Sequence, residues 1–395
     1  MPAFLYIIWT IVQLIVGFNL VFPLMLYIIY ISRKVLLLKK TVPHTQKQEA
    51  DYAIIVTAYE QTHTLPDVVN SLLQLHYHNY LIYVVADNCD VANLQFNNEK
   101  TVLLRPEETL ANNIKSHFYA INRFKRPHER LTIIDSDNLT HPDYLNNLNK
   151  MFDKGFEAVQ GERKAKNLNT TFACLDAARD LYYHFYDGKI LFGAGSSATL
   201  SGSGMAFTVD LYKECLQQLN ISGAGFDKVL QKEIIIRKKR IAFTGNAIVY
   251  DEKTTHTDQL VKQRARWINT WFKYFSYGFT LIARGIININ WNQFLFGLVL
   301  LRPPLFVFLL LSIIFMCVNI IVSPVIALYW LAAMGLFVAG FVWALMRSET
   351  DKRIYASLIN IPRFIFYQVV SLTKAKKANK LSVATKHHYT TEQKQ

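Results

Sequence analysis

The chain has 395 residues, 51% of them hydrophobic, with a formal net charge of +14 and a mean hydropathy of +0.14. It is too long for one ordinary domain, too apolar for a purely soluble enzyme and too polar for a pure membrane bundle, which leaves a globular body joined to membrane segments. A basic chain invites a nucleic-acid reading, but much of the charge flanks apolar runs (Arg33, Lys34, Lys39, Lys40; Arg347, Lys352, Arg353; Lys374, Lys376, Lys377, Lys380), where anionic lipid headgroups attract it, so no nucleic-acid partner is expected.

Residues 3–31 carry no charge and are long enough to span a bilayer once. No positive region precedes them and no clear small-residue cleavage site follows, so a retained anchor (1–32) is expected rather than a signal peptide. A basic linker, 33–50, comes next and places the C-terminal end of the anchor in the cytoplasm. From 51 to 275 strand and helix signals alternate: strands at 52–57, 81–85, 102–104 and 131–134, helices at 65–75 and 108–122. Repeated βα units predict a doubly wound, mostly parallel, Rossmann-like sheet. Ligands of such sheets sit beyond the carboxyl ends of the strands, and Tyr59, Asp87 and Asp135 each fall just past one, so they are expected to converge on one crevice.

After the α/β region, 276–304 is apolar but interrupted by Arg284, Asn288, Asn290, Asn292 and Gln293, which suits an interfacial segment. Residues 305–346 read as a hairpin of two spans turning at Ser323-Pro324, with Arg302 before it and Arg347, Lys352 and Arg353 after it. Both ends of the hairpin therefore face the side that the anchor indicates. Residues 347–373, broken by Pro362 and Arg363, fit an interfacial helix or a fourth span, and 374–395 form a basic tail. The four cysteines (Cys89, Cys174, Cys215, Cys317) have neither paired nor metal spacing, which argues against a disulfide scaffold or a zinc site.

Three clusters carry chemistry. Asp135-Ser136-Asp137 puts two carboxylates on a tight turn after a buried strand; one can meet a sugar or ribose while the other holds Mg²⁺ or Mn²⁺, which favour hard oxygen ligands together with water and substrate phosphates. A solvated loop or helix cap is the plain alternative. Asp227 stands at the start of a helix read as 228–237, where it would serve as a general base or as an N-cap. Gln263, Arg266 and Trp267, at i, i+3 and i+4, share one helix face. The indole offers a surface for a sugar ring and the guanidinium suits diphosphate oxygens; a basic interfacial helix with a tryptophan anchor is the alternative.

In this order the clusters resemble the inverting family-two glycosyltransferases with the nucleotide-sugar-binding GT-A fold, above all the membrane-integrated branch of cellulose, hyaluronan and poly-N-acetylglucosamine synthases. The likeness runs from about Tyr52 to Trp267. It implies that Tyr59 and Glu60, in Val56-Thr-Ala-Tyr59-Glu60-Gln61, cradle the donor nucleoside, although Glu60-Gln61 stands where Asn-Glu is common. It implies that Asp87 recognises uracil, that Lys115 lies near the diphosphate, that Asp135 binds donor and that Asp137 is the metal ligand. Gly202, Ser203 and Gly204, in Ser201-Gly-Ser-Gly-Met-Ala-Phe207, resemble a motif beside the acceptor. Asp227 corresponds to the family's general base, with Gly225-Phe226 in place of its usual Thr-Glu, and Gln263, Arg266 and Trp267 match its Gln-x-x-Arg-Trp motif at the acceptor end. The implied protein is an integral membrane enzyme with its catalytic domain in the cytoplasm. It would move a sugar, from a UDP donor by this likeness, to a glycan or lipid-linked acceptor. The motif favours processive polysaccharide synthesis. Three spans are few to line a sugar-wide channel without a homo-oligomer or accessory export subunits, which keeps single-sugar transfer to a lipid-linked acceptor open. A non-catalytic sugar-nucleotide sensor is the rival from another class.

Overall fold

The computed structural model describes residues 3–36, 49–219, 221 and 223–378. Most of the linker (37–48) and of the basic tail (379–395) lies outside the described residues. Helix α1 (Ala3–Leu36) leads into β1 (Tyr52–Tyr59), α2 (Leu65–Leu73), β2 (Tyr80–Asp87), β3 (Thr101–Leu104), α3 (Asn113–Ile121), β4 (Arg130–Asp135), β5 (Leu139–Thr140) and α4 (Tyr144–Phe152). Then come β6 (Ala158–Ala165), α5 (Thr171–Tyr183), a π-helical turn (His184–Ile190), α6 (Leu191–Gly193), β7 (Met205–Thr208), α7 (Val209–Leu216), α8 (Phe226–Ile236) and β8 (Ile241–Asp251). The described residues then continue as helices: α9 (Thr257–Tyr274), α10 (Tyr277–Ile287), α11 (Trp291–Leu301), α12 (Leu305–Val322), α13 (Pro324–Met346), α14 (Lys352–Ser357) and α15 (Ile361–Lys374).

The eight strands form one mixed sheet in the order β3-β2-β1-β4-β7-β6-β8-β5. Strands β3, β2, β1 and β4 run parallel, as continuous apolar runs buried on both faces do. Strand β7 is antiparallel to both β4 and β6, β8 is parallel to β6 with a bulge at Gly161/Glu162, and the short β5 is antiparallel to β8. The two faces of the sheet carry separate cores, one around Ile54, Val56, Leu72, Val84 and Tyr144, the other around Ile55, Tyr83, Ile133, Phe207 and Leu230. This is the α/β architecture of the GT-A fold.

His117 sits inside the second face, fully buried, with Nδ1 2.7 Å from the Tyr212 hydroxyl. Burial holds its pKa down at about 3. Below about pH 6.5 the unfolded chain takes up a proton that the folded chain refuses until about pH 3, so this histidine makes stability fall as pH drops across that window. A slope of roughly 1.4 kcal/mol per pH unit is expected from it. Thermal unfolding of wild type and His117→Gln between pH 7 and 4 checks this, the variant losing less on acidification.

Among the described residues three helices, Ala3–Leu36, Leu305–Val322 and Pro324–Met346, are long and apolar enough to cross a membrane. They pack on one another around Phe22, Phe308, Phe315, Trp330 and Phe337, with one internal polar cluster in which Gln13 Oε1 accepts from Asn319 Nδ2 (2.6 Å) and Trp330 Nε1 (3.0 Å). Residues 277–301 form an antiparallel helix pair, α10 and α11. The stretch read as an interfacial helix or a fourth span consists of three consecutive helical pieces. Its longest, α15, has 14 residues, which at 1.5 Å each reach only about 21 Å, and it packs against α9.

Candidate active site

Register brings the strand-end residues together. Across β1 and β2 Tyr59 is opposite Asp87, and across β1 and β4 Thr57 is opposite Asp135. The turn after β4 is braced rather than loose. The Ser203 hydroxyl accepts from the Asp135 backbone N–H (3.1 Å) and from Asn138 Nδ2 (2.7 Å). Thr64 Oγ1 donates to the Ser136 carbonyl at 2.5 Å, and β5 pins the far side of the turn to β8. Asp137 is thereby held 9% exposed at a cavity wall.

That cavity has a volume of about 680 Å³, ample for a ligand of nucleotide size. Tyr59, Asp135, Asp137, Gly202, Asp227, Gln263, Arg266 and Trp267 all line it. Glu60, Lys115, Ser203 and Gly204 do not. Lys115 is exposed on α3, Glu60 is exposed at φ +61°, and Ser203 and Gly204 lie beneath the acidic turn, where the Gly204 carbonyl accepts from Gly161 N–H at 2.8 Å. Asp87 faces a small adjoining pocket with Tyr59, Ala111 and Asn112. Its two oxygens accept the backbone N–H groups of Leu110 (2.9 Å) and Ala111 (2.7 Å), so its carboxylate fixes the loop that forms this pocket.

Asp227 is on the first turn of α8, whose N-cap is Gly225 rather than Asp227 itself. The helix starts two residues earlier than the sequence pattern suggested, and the carboxylate is left on the cavity wall with Lys228 Nζ 3.1 Å away. Gly225 has φ +96°, and a Cβ there would lie 2.6 Å from Thr270 Cγ2 and 2.7 Å from the Tyr274 ring. A glycine therefore lets the Asp227 turn abut α9. Gly225→Ala is expected to destabilise the protein by about 1–3 kcal/mol through strain and overpacking, read as a lowered Tm against wild type.

Under the Gln263-Arg266-Trp267 face lies a buried ionic network that motif reading missed. Lys253 Nζ is 2.5 Å from Asp180 and 2.8 Å from Asp251; Arg163 approaches both at 3.6 and 3.7 Å. Arg264 pairs with Asp176, and Arg179 reaches both Asp176 (3.6 Å) and Asp180 (2.5 Å). Burial alone would raise the Asp180 carboxyl, but Lys253, Arg179 and Arg163 outweigh it and hold it well below the usual range. Burial raises Asp251, and Lys253 and Arg163 offset this only in part. Burial and then Arg179 lower Arg264 to about 10. The guanidiniums of Arg264 and Arg179 lie over the Trp267 ring, 4.1 and 4.3 Å from its centroid, while Gln263 Oε1 accepts from Thr254 at 3.3 Å. Strands β6 and β8, helix α5 and helix α9 are thus tied at one point.

Among the described residues no group of three or more His, Cys, Asp or Glu side chains forms a self-sufficient metal cage. Two carboxylates on one braced turn, Asp135 and Asp137, fit a Mg²⁺ or Mn²⁺ that completes its shell with water and diphosphate oxygens. The same cavity is also lined by Val299, Leu300, Pro303, Pro304, Leu305 and Phe306, at the entry to α12. Arg302 there pairs with Asp187 at 2.6 Å, both buried.

A mannosyltransferase from Pyrobaculum calidifontis, PcManGT, solved with GDP-Man and Mn²⁺, has a similar fold. The TM-score is 0.52 at 13% identity, over 92% of this chain and 99% of that one. The 1–349 segment of TarS from S. aureus aligns at a TM-score of 0.41 and 13% identity, over 82% and 88% of the two chains. No curated protein matches the chain. The glycosyltransferase-like family 2 model matches residues 50–270, the whole sheet together with most of α9, and the chain belongs to that family.

Proposed function

We propose that the protein is a membrane-embedded, inverting glycosyltransferase that moves a sugar from a UDP-type donor to a lipid-linked acceptor, one residue at a time. The observation that carries this reading is the single cavity that joins the acidic turn, Asp227 and the Gln263-Arg266-Trp267 face to the first turn of α12. Tyr59 and the Asp87-ordered loop would receive the nucleoside, and Arg266 the diphosphate oxygens. Asp135 and Asp137 would hold a divalent ion, which supplies charge neutralisation to the leaving diphosphate. Asp227 would accept the proton of the attacking hydroxyl. An inverting transfer needs one such base and no covalent nucleophile. Trp267 would seat the acceptor sugar while the apolar wall from Val299 to Phe306 receives the start of its lipid.

The packing of the three candidate spans favours single transfers over polymer export, since aromatic rings fill the space between them. The test is UDP release by detergent-solubilised protein over UDP-glucose, UDP-N-acetylglucosamine, UDP-glucuronate and UDP-galactose, with GDP-mannose as comparison, with and without chelator. Size analysis of products from native membranes runs beside it. One donor, loss on chelation and a single discrete product support the reading. A ladder of products overturns single transfer, and release that survives chelation overturns the metal.

A further inference from the structure

The C-terminal end of α1 carries Arg33 and Lys34 directly after the uncharged run. The Arg33 guanidinium lies against Gly195, where a Cβ would come within 2.7 Å of its Cζ. On the same turn, Arg240 donates to the Ser196 carbonyl from Nε (2.9 Å) and Nη2 (2.6 Å) and to the Phe192 carbonyl at 2.7 Å. Trp291 Nε1 donates to the Ala194 carbonyl at 3.0 Å. Residues 192–196 thus gather two guanidiniums and an indole.

This pair differs from four other fully or partly buried arginines. Arg163, Arg179, Arg264 and Arg302 each meet an aspartate. Among the described residues neither Arg33 nor Arg240 has a carboxylate partner, Arg33 makes no hydrogen bond, and its Nε is buried without an acceptor. Burial and then Arg33 lower Arg240 to about 10, so the two charges oppose each other. Residues 37–48, which follow in sequence, include no Asp or Glu. Two guanidiniums held together without an anion form a site for a phosphate, which accepts from both.

Its surroundings identify which phosphate. Leu36 at the end of α1 is 80% exposed, and Ile287 (79%) and Ile289 (95%), at the α10–α11 turn just before Trp291, are exposed as well. Apolar side chains flanking paired cations at the end of a candidate span match the headgroup level of a bilayer. We propose that Arg33 and Arg240 hold the phosphate of an anionic membrane phospholipid at the foot of α1. The site rests on α1 crossing the bilayer, which is tested separately by whether extraction of the chain requires detergent.

The experiment places the full-length chain in nanodiscs of phosphatidylcholine with or without phosphatidylglycerol and measures Tm and retained lipid for wild type, Arg33→Gln and Arg33→Lys. Wild type is expected to gain several degrees from phosphatidylglycerol. Arg33→Gln should match wild type in phosphatidylcholine, since Arg33 makes no hydrogen bond among the described residues, and should bind phosphatidylglycerol roughly tenfold more weakly, the size of one charge-assisted hydrogen bond. Arg33→Lys should recover part of the effect. An equal phosphatidylglycerol effect in Arg33→Gln, none in wild type, or an equal fall of Arg33→Gln in phosphatidylcholine would each overturn the proposal. The same gain from inorganic phosphate in detergent would replace the lipid by a soluble anion and also overturn it.

Discussion

Asp227→Asn is expected to lower the rate of sugar transfer by roughly 10³-fold while leaving donor affinity within a few-fold of wild type. A positioned base contributes about 10²–10⁴ to a proton-coupled step. Asparagine keeps the size and polarity of the side chain but cannot take the proton. The substitution is well suited to this site. Asp227 is not the N-cap of α8, a position that Gly225 occupies, so the helix loses no cap when the charge is removed. The ion pair with Lys228 is lost as well, but Lys228 Nζ also donates to the Leu200 carbonyl at 3.2 Å and stays anchored. Single-turnover transfer with labelled donor, paired with calorimetric donor binding, separates the effects. A rate within tenfold of wild type removes Asp227 from the role of base. A parallel collapse of donor affinity would assign it to the donor instead.

Where the strand ends meet was legible from the sequence, because buried parallel strands announce themselves as short apolar runs and their carboxyl ends must lie along one edge. The expected convergence of Tyr59, Asp87 and Asp135 rests on that geometry, while the pairing of Tyr59 with Asp87 and of Thr57 with Asp135 comes from the structure. The three long apolar helices were legible for the same reason: twenty uncharged residues have few other uses. The Gly202-Ser203-Gly204 stretch was not resolvable. Its composition reads alike whether the serine faces a ligand or, as here, turns inward to brace Asp135 and Asn138. Lys115 shows the opposite difficulty, because nothing in Asn112-Asn-Ile-Lys115 tells which face of a short helix meets solvent. Least legible was the ionic network. Asp176, Arg179 and Asp180 look like an ordinary solvated helix face. They are covered because β8 and α9, which begin at Ile241 and Thr257, arrive much later in the chain. Nothing in Tyr250-Asp251-Glu252 by itself points to the network, and only the fold reveals that Asp251 shares Lys253 with Asp180.

Asp176→Ala is expected to cost about 3–5 kcal/mol of stability, the range for stripping one partner from a buried ion pair, with a fall in Tm on the order of ten degrees. Asp176 and Arg264 are 3% exposed each, and burial already pushes the Arg264 guanidinium down to about 10. Without the carboxylate, Arg264 is left beside Arg179 with two of its nitrogens, Nε and Nη1, already lacking acceptors. Water cannot readily solvate it there. The double variant Asp176→Leu with Arg264→Leu should be the milder change, because it removes both charges and restores apolar volume. A single variant as stable as wild type, or a double variant worse than the sum of its parts, would show that the pair is not the fastening between α5 and α9. The consequence reaches the cavity through Trp267, whose ring lies beneath the guanidiniums of Arg264 and Arg179. In the double variant, therefore, the protein should remain folded while acceptor KM rises more than donor KM. That split separates a loosened tryptophan from a general loss of structure. A pure stability defect lowers the amount of active enzyme and leaves both constants where they were.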